Sequence, residues 1–482
     1  MLNKLSVSIG VVSGPFVATS KVGVASHVVR SLSSLSSIRE PTQPKSNKKP
    51  KYTSASEAVS VIKSGDTVWM QGVAAAPKAL AKAMADYGLQ NKQLRNVTVG
   101  HLMSLTTPDY VKPELKDVFR VHAAFVSGLD REAVNDGRAD YLPVFLSEVP
   151  LLFRRGIYKP RVAMLQVSSP DEHGYLSMGV SVCAMRDILK ACDIVIGEVN
   201  PRQPRTFGDS LIHESNFDYL VQNEVELDQI VPKPPSDVEK AIGKHIAENL
   251  VEDGCTLQTG IGGIPDAVLS QCKQHKDLGV HSEMFSDSVM ELIKSGNINN
   301  RLKKTEPGLL CATFLFGSTK FYDFFHNNPY LVLKTCDYTN DQDIIAQNPK
   351  VTAINSCIEI DIIGQVASDT VGTTTFSGYG GQVDFLRGAA LGSDGKGKPI
   401  LALSAMTNKG VSKIVPFLKH GAGVTTSRAH VHYVVTEFGI ASLFGKNYRQ
   451  RAYELIQIAH PDHRASLEKA AFERLKCMPS KD

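Results

Sequence analysis

Glu283 stands in the segment Leu278-Gly-Val-His-Ser-Glu-Met-Phe-Ser-Asp287, behind a glycine turn, Gln258-Thr-Gly-Ile-Gly-Gly-Ile-Pro265. A carboxylate can attack an activated acyl group, and glycine main chain lets N–H donors and a helix N-terminus face an anion or a carbonyl oxygen. Together the two suit acyl-group chemistry. Each also has a plainer reading: the turn as a simple junction of strand and helix, and Glu283 as an acid stabilised by a helix dipole. The turn is not the dinucleotide G-x-G-x-x-G, because Gly263 directly follows Gly262 and no acidic ribose partner lies at the expected distance.

Both features need an α/β frame. Residues 255–258 read as a short strand and 266–272 as a helix with Pro265 in its first turn; 278–280 reads as a second strand before a helix starting near Ser286 or Asp287. A glutamate at the carboxyl end of such a strand stands where α/β folds bind ligands. The run Gly65-Asp-Thr-Val-Trp-Met-Gln-Gly72, followed by Pro77, echoes Gly254-Cys-Thr-Leu-Gln-Thr-Gly260, followed by Pro265. The echo predicts two α/β halves of similar fold. Further strands are expected at 97–102, 121–126, 162–167 and 194–199, with helices between them, which predicts mostly parallel sheets. Val231-Pro-Lys-Pro-Pro-Ser236 reads as the linker, because its prolines neither continue a helix nor join a central strand. The expected domains are residues 52–230 and 237–482.

A second glycine turn, Gly378 with Gly380 and Gly381, follows a strand expected over 355–366. It reads as an oxyanion-binding loop or as a plain bulge. Lys409 and Lys413, in the loop after a strand at 399–406, are candidates for contact with phosphates or simply solvated lysines. Glu437, at a strand end before a glycine, is the rival nucleophile to Glu283. Thr425-Thr-Ser-Arg428 and His432-Tyr-Val-Val-Thr-Glu437 also stand out in this region.

Residues 1–51 differ in composition from the rest. They carry eight Lys or Arg against one acid, Glu40, and are serine-rich over 31–37, as organellar transit peptides are; a tail without an address is the alternative. The chain's net charge of +4 is therefore concentrated in the leader, and the remainder is slightly acidic. No basic stripe interleaved with aromatics points to nucleic acid, and no apolar run reaches the roughly 18 residues of a membrane span. The eight cysteines form no C-x-x-C pair and read as reduced core residues, with no metal site expected.

The glycine turn, the His281–Asp287 segment and the later motifs, spread from about Tyr52 to about Arg464, resemble the acetyl-CoA hydrolase/transferase family, a branch of the class I CoA-transferases. The resemblance implies a pair of related open α/β CoA-transferase domains with the active site between them. It implies Glu283 as the covalent nucleophile, CoA contacts at Gly260, Ile261, Gly262, Gly263, Ile264, Gly378, Gly380, Gly381 and Lys409, and no metal or organic cofactor, CoA being a substrate. The expected partners are acyl-CoA, small carboxylic acids and a second copy of the chain, in the mitochondrial matrix, with acetyl-CoA and succinate as the preferred pair. Butyrate or 4-hydroxybutyrate transfer, acetyl-CoA hydrolysis on the same fold, and a non-catalytic nucleotide-binding module are the alternatives.

Overall fold

Runs of β-branched and aliphatic residues such as Val162–Val167, every residue of which is buried, suit strands covered on both faces, and such strands build parallel sheets. In the computed structural model, which describes residues 39–105, 109–230 and 233–482, the first half forms a sheet of eight strands. From one edge to the other these are Lys51–Tyr52, Tyr219–Gln222, Ile194–Val199, Val162–Val167, Thr67–Met70, Val97–His101, Phe119–Ala123 and Ala139–Tyr141, all paired in parallel. The chain starts its winding at Thr67–Met70, adds strands on one side, then crosses to the other. Side chains alternate across this strand. Val68 and Met70 join Leu80 and Met84 of the helix Lys78–Gln90, while Trp69 packs edge-on against Phe153 at 4.8 Å on the opposite face. Gly100, the register partner of Trp69, leaves room for the indole; a Cβ there would lie 2.3 Å from it.

The second half repeats the plan. Its central strand, Thr256–Thr259, has Gly279–Val280 on one side and Thr352–Ser356 on the other, both parallel; Lys398–Ala402 and Tyr433–Thr436 continue in parallel, and Gly439–Ser442 turns back at the edge. The echoed segments thus each stand inside their sheet and lead into a helix with a proline near its start, Pro77 before Lys78–Gln90 and Pro265 in the first turn of Gly263–Ser270. The second half opens at Ser236, whose hydroxyl caps the helix Asp237–Asn249 while Glu239 reaches back to the Ser236 N–H at 2.7 Å. One apolar core runs from Trp69 and Leu165 through Leu257 and Phe285 to Val435.

Three sequence expectations change. The leader was expected to extend to residue 51, and its first 38 residues lie outside those described, but Glu40–Asp482 forms one compact unit. Glu40, the lone acid of that basic stretch, pairs with Arg186 and Lys190, and Lys48 pairs with Asp218 at 2.6 Å. The strand expected over 355–366 is broken into Thr352–Ser356, Glu359–Asp361 and Val366–Ala367, with Gly364 turning the chain at φ +99° between the last two. The residues after Glu283 first add a two-residue strand, Met284–Phe285, before the helix Ser288–Lys294 begins. Seven cysteines are buried and free, and Cys477 is exposed. Among the described residues no helix is long and apolar enough to cross a membrane, and no His, Cys, Asp and Glu are grouped to hold a metal ion.

Candidate active site

The winding order places a crevice at the carboxyl end of the second sheet, between Thr256–Thr259 and the strand beside it. The first glycine turn lies there. Gly262 adopts φ +117°, open only to glycine, and Gly263 rests on Glu239 so closely that a Cβ would meet its carboxylate at 2.1 Å. Gly262 and Gly263 line a cavity of about 420 Å³ with Ile230, Lys233 and Ser286, and Ile261 exposes its side chain into it; Gly260 ends the strand and Ile264 packs against the core.

Ser282 ties this turn to Glu283. Its hydroxyl lies 2.6 Å from the Met284 carbonyl and 3.0 Å from the Thr259 carbonyl, and its oxygen accepts from the Thr259 N–H at 3.3 Å. The Glu283 carbonyl accepts from the Thr313 and Phe314 N–H groups at 3.0 and 3.3 Å, so its backbone is fixed from both sides.

The Glu283 carboxylate meets Asn340, whose Nδ2 donates to Oε2 at 3.3 Å. The amide is oriented by a chain of contacts. His281 donates from Nε2 to the Thr339 carbonyl at 2.8 Å, and the Thr339 hydroxyl donates to Asn340 Oδ1 at 2.9 Å, leaving Nδ2 to face the carboxylate. Burial and Lys303 push the His281 pKa down to about 3, so this imidazole is neutral and acts as a fixed donor. Asn340 Nδ2 also lies 3.4 Å from Asp384 Oδ2.

The second glycine turn closes the site from the other side. Gly381 stands so near that a Cβ would be 2.1 Å from both Glu283 Oε2 and Asn340 Nδ2. Gly380 has φ +54°, and Gly378 and Gly380 abut Phe125 of the first half. That half holds the whole loop: Leu146 donates to the Gly380 carbonyl at 3.0 Å, Tyr141 OH accepts from the Tyr379 N–H at 3.1 Å, and Arg131 lies 3.6 Å over the Phe376 ring. Ser147 donates to Asp384 through its hydroxyl at 2.9 Å and its N–H at 3.2 Å. The Glu283 carboxylate therefore sits where the two halves meet.

Its electrostatics follow from that place. Burial pushes the Glu283 pKa up to about 7; the nearby Asp384 charge adds to the rise, while the Asn340 amide and the Gly381 N–H oppose it. Asp384 is itself raised to about 6, chiefly by burial. Glu437, the rival, follows the strand Tyr433–Thr436, where its carboxylate accepts the Ala405 N–H at 2.9 Å. Lys409 lies in an exposed turn after Lys398–Ala402, its N–H bonded to Thr407 at 3.3 Å. The structure thus joins Glu283, Gly380 and Gly381 in one site, with the first turn next to it through Ser282. Asn340, Asp384 and Ser147 were not picked out from the sequence. Asp384 lies three residues after Gly381, which was a usable hint; Asn340, in an ordinary Thr-Asn-Asp turn, offered none.

Residues 39–232 match the N-terminal domain, and residues 317–471 the C-terminal domain, of the acetyl-CoA hydrolase/transferase family. The chain belongs to that family. It is a family of enzymes. Among its members, the "succinyl-CoA:acetate/propanoyl-CoA:succinate CoA transferase" of Fasciola hepatica is 51% identical over 443 residues, 92% of each chain. The "4-hydroxybutyrate coenzyme A transferase" of Clostridium kluyveri is 46% identical over 421 residues, 87% of this chain and 96% of its own. Among solved structures, RipA from Yersinia pestis superposes with a TM-score of 0.83 at 33% identity, over 89% of this chain and 98% of its own. Glu283 lies in the segment between the two matched regions.

Proposed function

We propose that this family member transfers CoA between acetyl-CoA and succinate by a ping-pong route through Glu283. The observation that carries the reading is the Glu283 carboxylate enclosed by the Asn340 amide and a glycine main chain too close for any side chain. The name of the Fasciola hepatica relative supports the acid pair.

In the first step the ionised Glu283 carboxylate attacks the acetyl carbonyl, the thioester C–S bond breaks, and CoA leaves as thiolate. The thiolate then attacks the glutamyl carbonyl of the mixed anhydride, releasing acetate and leaving a Glu283–CoA thioester. Succinate attacks that thioester and the sequence runs in reverse, giving succinyl-CoA and free Glu283. Each step exchanges one acyl oxygen or sulfur for another, and no electrons are gained or lost. No general base is needed, because the attacking groups are anions; what the site supplies is preorganised N–H donors, position and exclusion of water. Glycine N–H groups of the two turns are the donors best placed for the oxyanions, and Lys409 is a candidate for the CoA phosphates. CoA enters as a substrate and no further cofactor takes part. The basic, serine-rich leader supports delivery to the mitochondrial matrix, and a homodimer is the expected assembly.

The test is product analysis. Acetyl-CoA incubated with the enzyme should give succinyl-CoA and acetate in equal amounts when succinate is present, and little free CoA when it is absent. CoA release that ignores added succinate would identify a hydrolase instead, and transfer only to butyrate or 4-hydroxybutyrate would change the acid.

A further inference from the structure

A cluster of arginines gathers around His432, at the amino end of the strand Tyr433–Thr436. The strand Tyr433–Thr436 runs from His432, just before it, to Glu437, just after it, and the parallel strands on its side of the sheet place the glycine turns at the Glu437 end. Four residues of strand span about 13 Å. At the His432 end, Arg451 is only 8% exposed, yet its guanidinium hydrogen-bonds two neutral acceptors, the carbonyls of Lys446 and Ile363. Arg428 is beside it: a Cβ on Gly364 would lie 2.7 Å from Arg451 Nη1 and 3.6 Å from Arg428 Cβ. Arg387, in the last turn of the helix Gln382–Ala390, is close enough for its charge to disfavour protonation of both His430 and His432. Among the described residues no Asp or Glu is ion-paired to any of the three arginines. Buried positive charge without a counter-charge is costly, and mutually repelling guanidinia add to the cost, so such a cluster is stabilised by an anion.

Flat rings border it. Phe444 is 70% exposed and lies with one face 4.3 Å from the His432 ring at 31°, which leaves its other face to solvent. Tyr448, 45% exposed, is covered on one side by Arg428 at 5.5 Å. Arginine clusters match the oxygens of phosphate bidentately, and aromatic rings stack on nucleobases. We propose that this cluster binds the phosphate groups of a nucleotide, with Phe444 as the platform for the base, at a site separate from the reaction centre. The proposal is independent of the role of Glu283. The helix that carries Arg387 begins next to Gly381, so an anion held there contacts the same element that closes the active site.

The test is calorimetric titration of ATP into the full-length enzyme already saturated with free CoA. One ATP per chain should bind, weakened roughly tenfold or more in Arg428→Gln and Arg387→Gln. Phe444→Ala, at an exposed position that leaves the fold intact, should weaken ATP but not inorganic pyrophosphate, and Glu283→Ala should bind ATP as the unmodified enzyme does. No ATP binding, ATP displaced by CoA, or affinity unchanged in all the cluster variants would overturn the proposal. So would sedimentation showing that Phe444→Ala or Arg428→Gln separates a dimer, because a second copy would then cover this face.

Discussion

Oε2 of Glu283 occupies the space in which a side chain at Gly381 would lie: a Cβ there would be 2.1 Å from it. Two atoms cannot share that distance, and the carboxylate, held through its backbone, is the one that must move. Gly381→Ala is therefore expected to keep the fold and lower kcat by roughly a hundredfold or more, the scale of losing one preorganised contact in such a site. Steady-state transfer assays check this; near-normal turnover would mean that Glu283 works in some other position.

The pH dependence should show a carboxylate titrating far above its ordinary range. Attack requires the ionised form, and burial holds the Glu283 pKa at about 7. kcat/KM for acetyl-CoA should therefore rise with pH through about 7 and level off above it. A limb near the ordinary glutamate value would contradict this electrostatic account.

Two neighbours should move that limb in opposite directions. Asp384 raises the Glu283 pKa by its charge, so Asp384→Asn should shift the limb to lower pH by up to about one unit. Asn340 lowers it by hydrogen bonding to the charged form, so Asn340→Ala should shift the limb to higher pH and reduce kcat about tenfold to a hundredfold. Rate profiles of the two variants against pH give both signs. Shifts in the same direction would show that the variants act through general loosening of the site.

Stability should carry the same signature. The unfolded Glu283 carboxyl titrates near 4.5 and the folded one near 7, so the native state binds the extra proton between those values. Stability from this group is greatest below about pH 4.5 and is lost as pH rises through about 7. Glu283→Gln, which has no charge to bury, should raise stability by up to about 3 kcal/mol above pH 8, with the gain vanishing near pH 4. Denaturant unfolding at the two pH values measures it.

The legible parts of this site were those carried by neighbouring residues. The glycine turns and the His281–Asp287 segment are contiguous, and glycine at a turn declares its backbone requirement locally. The doubled strand-turn-helix unit also showed in the sequence, because parallel α/β halves repeat their apolar runs. The partners of Glu283 did not show. Asn340 reaches it across 57 residues, and Asp384 binds Ser147 across 237. Nothing in a local pattern ties such residues together; only the winding of two sheets does. The leader boundary failed for a related reason: composition averages over a stretch, while Glu40 is placed by its pairing with Arg186 and Lys190 far along the chain.

A covalent bond to Glu283 can be read by mass spectrometry after borohydride. The enzyme is exposed to acetyl-CoA, treated with mild borohydride, which reduces a glutamyl thioester but not a free carboxylate, and digested. A loss of mass confined to the peptide that holds Glu283, absent without acetyl-CoA, is expected. The same loss on the peptide that holds Glu437, or an active enzyme with no modified peptide, would contradict it.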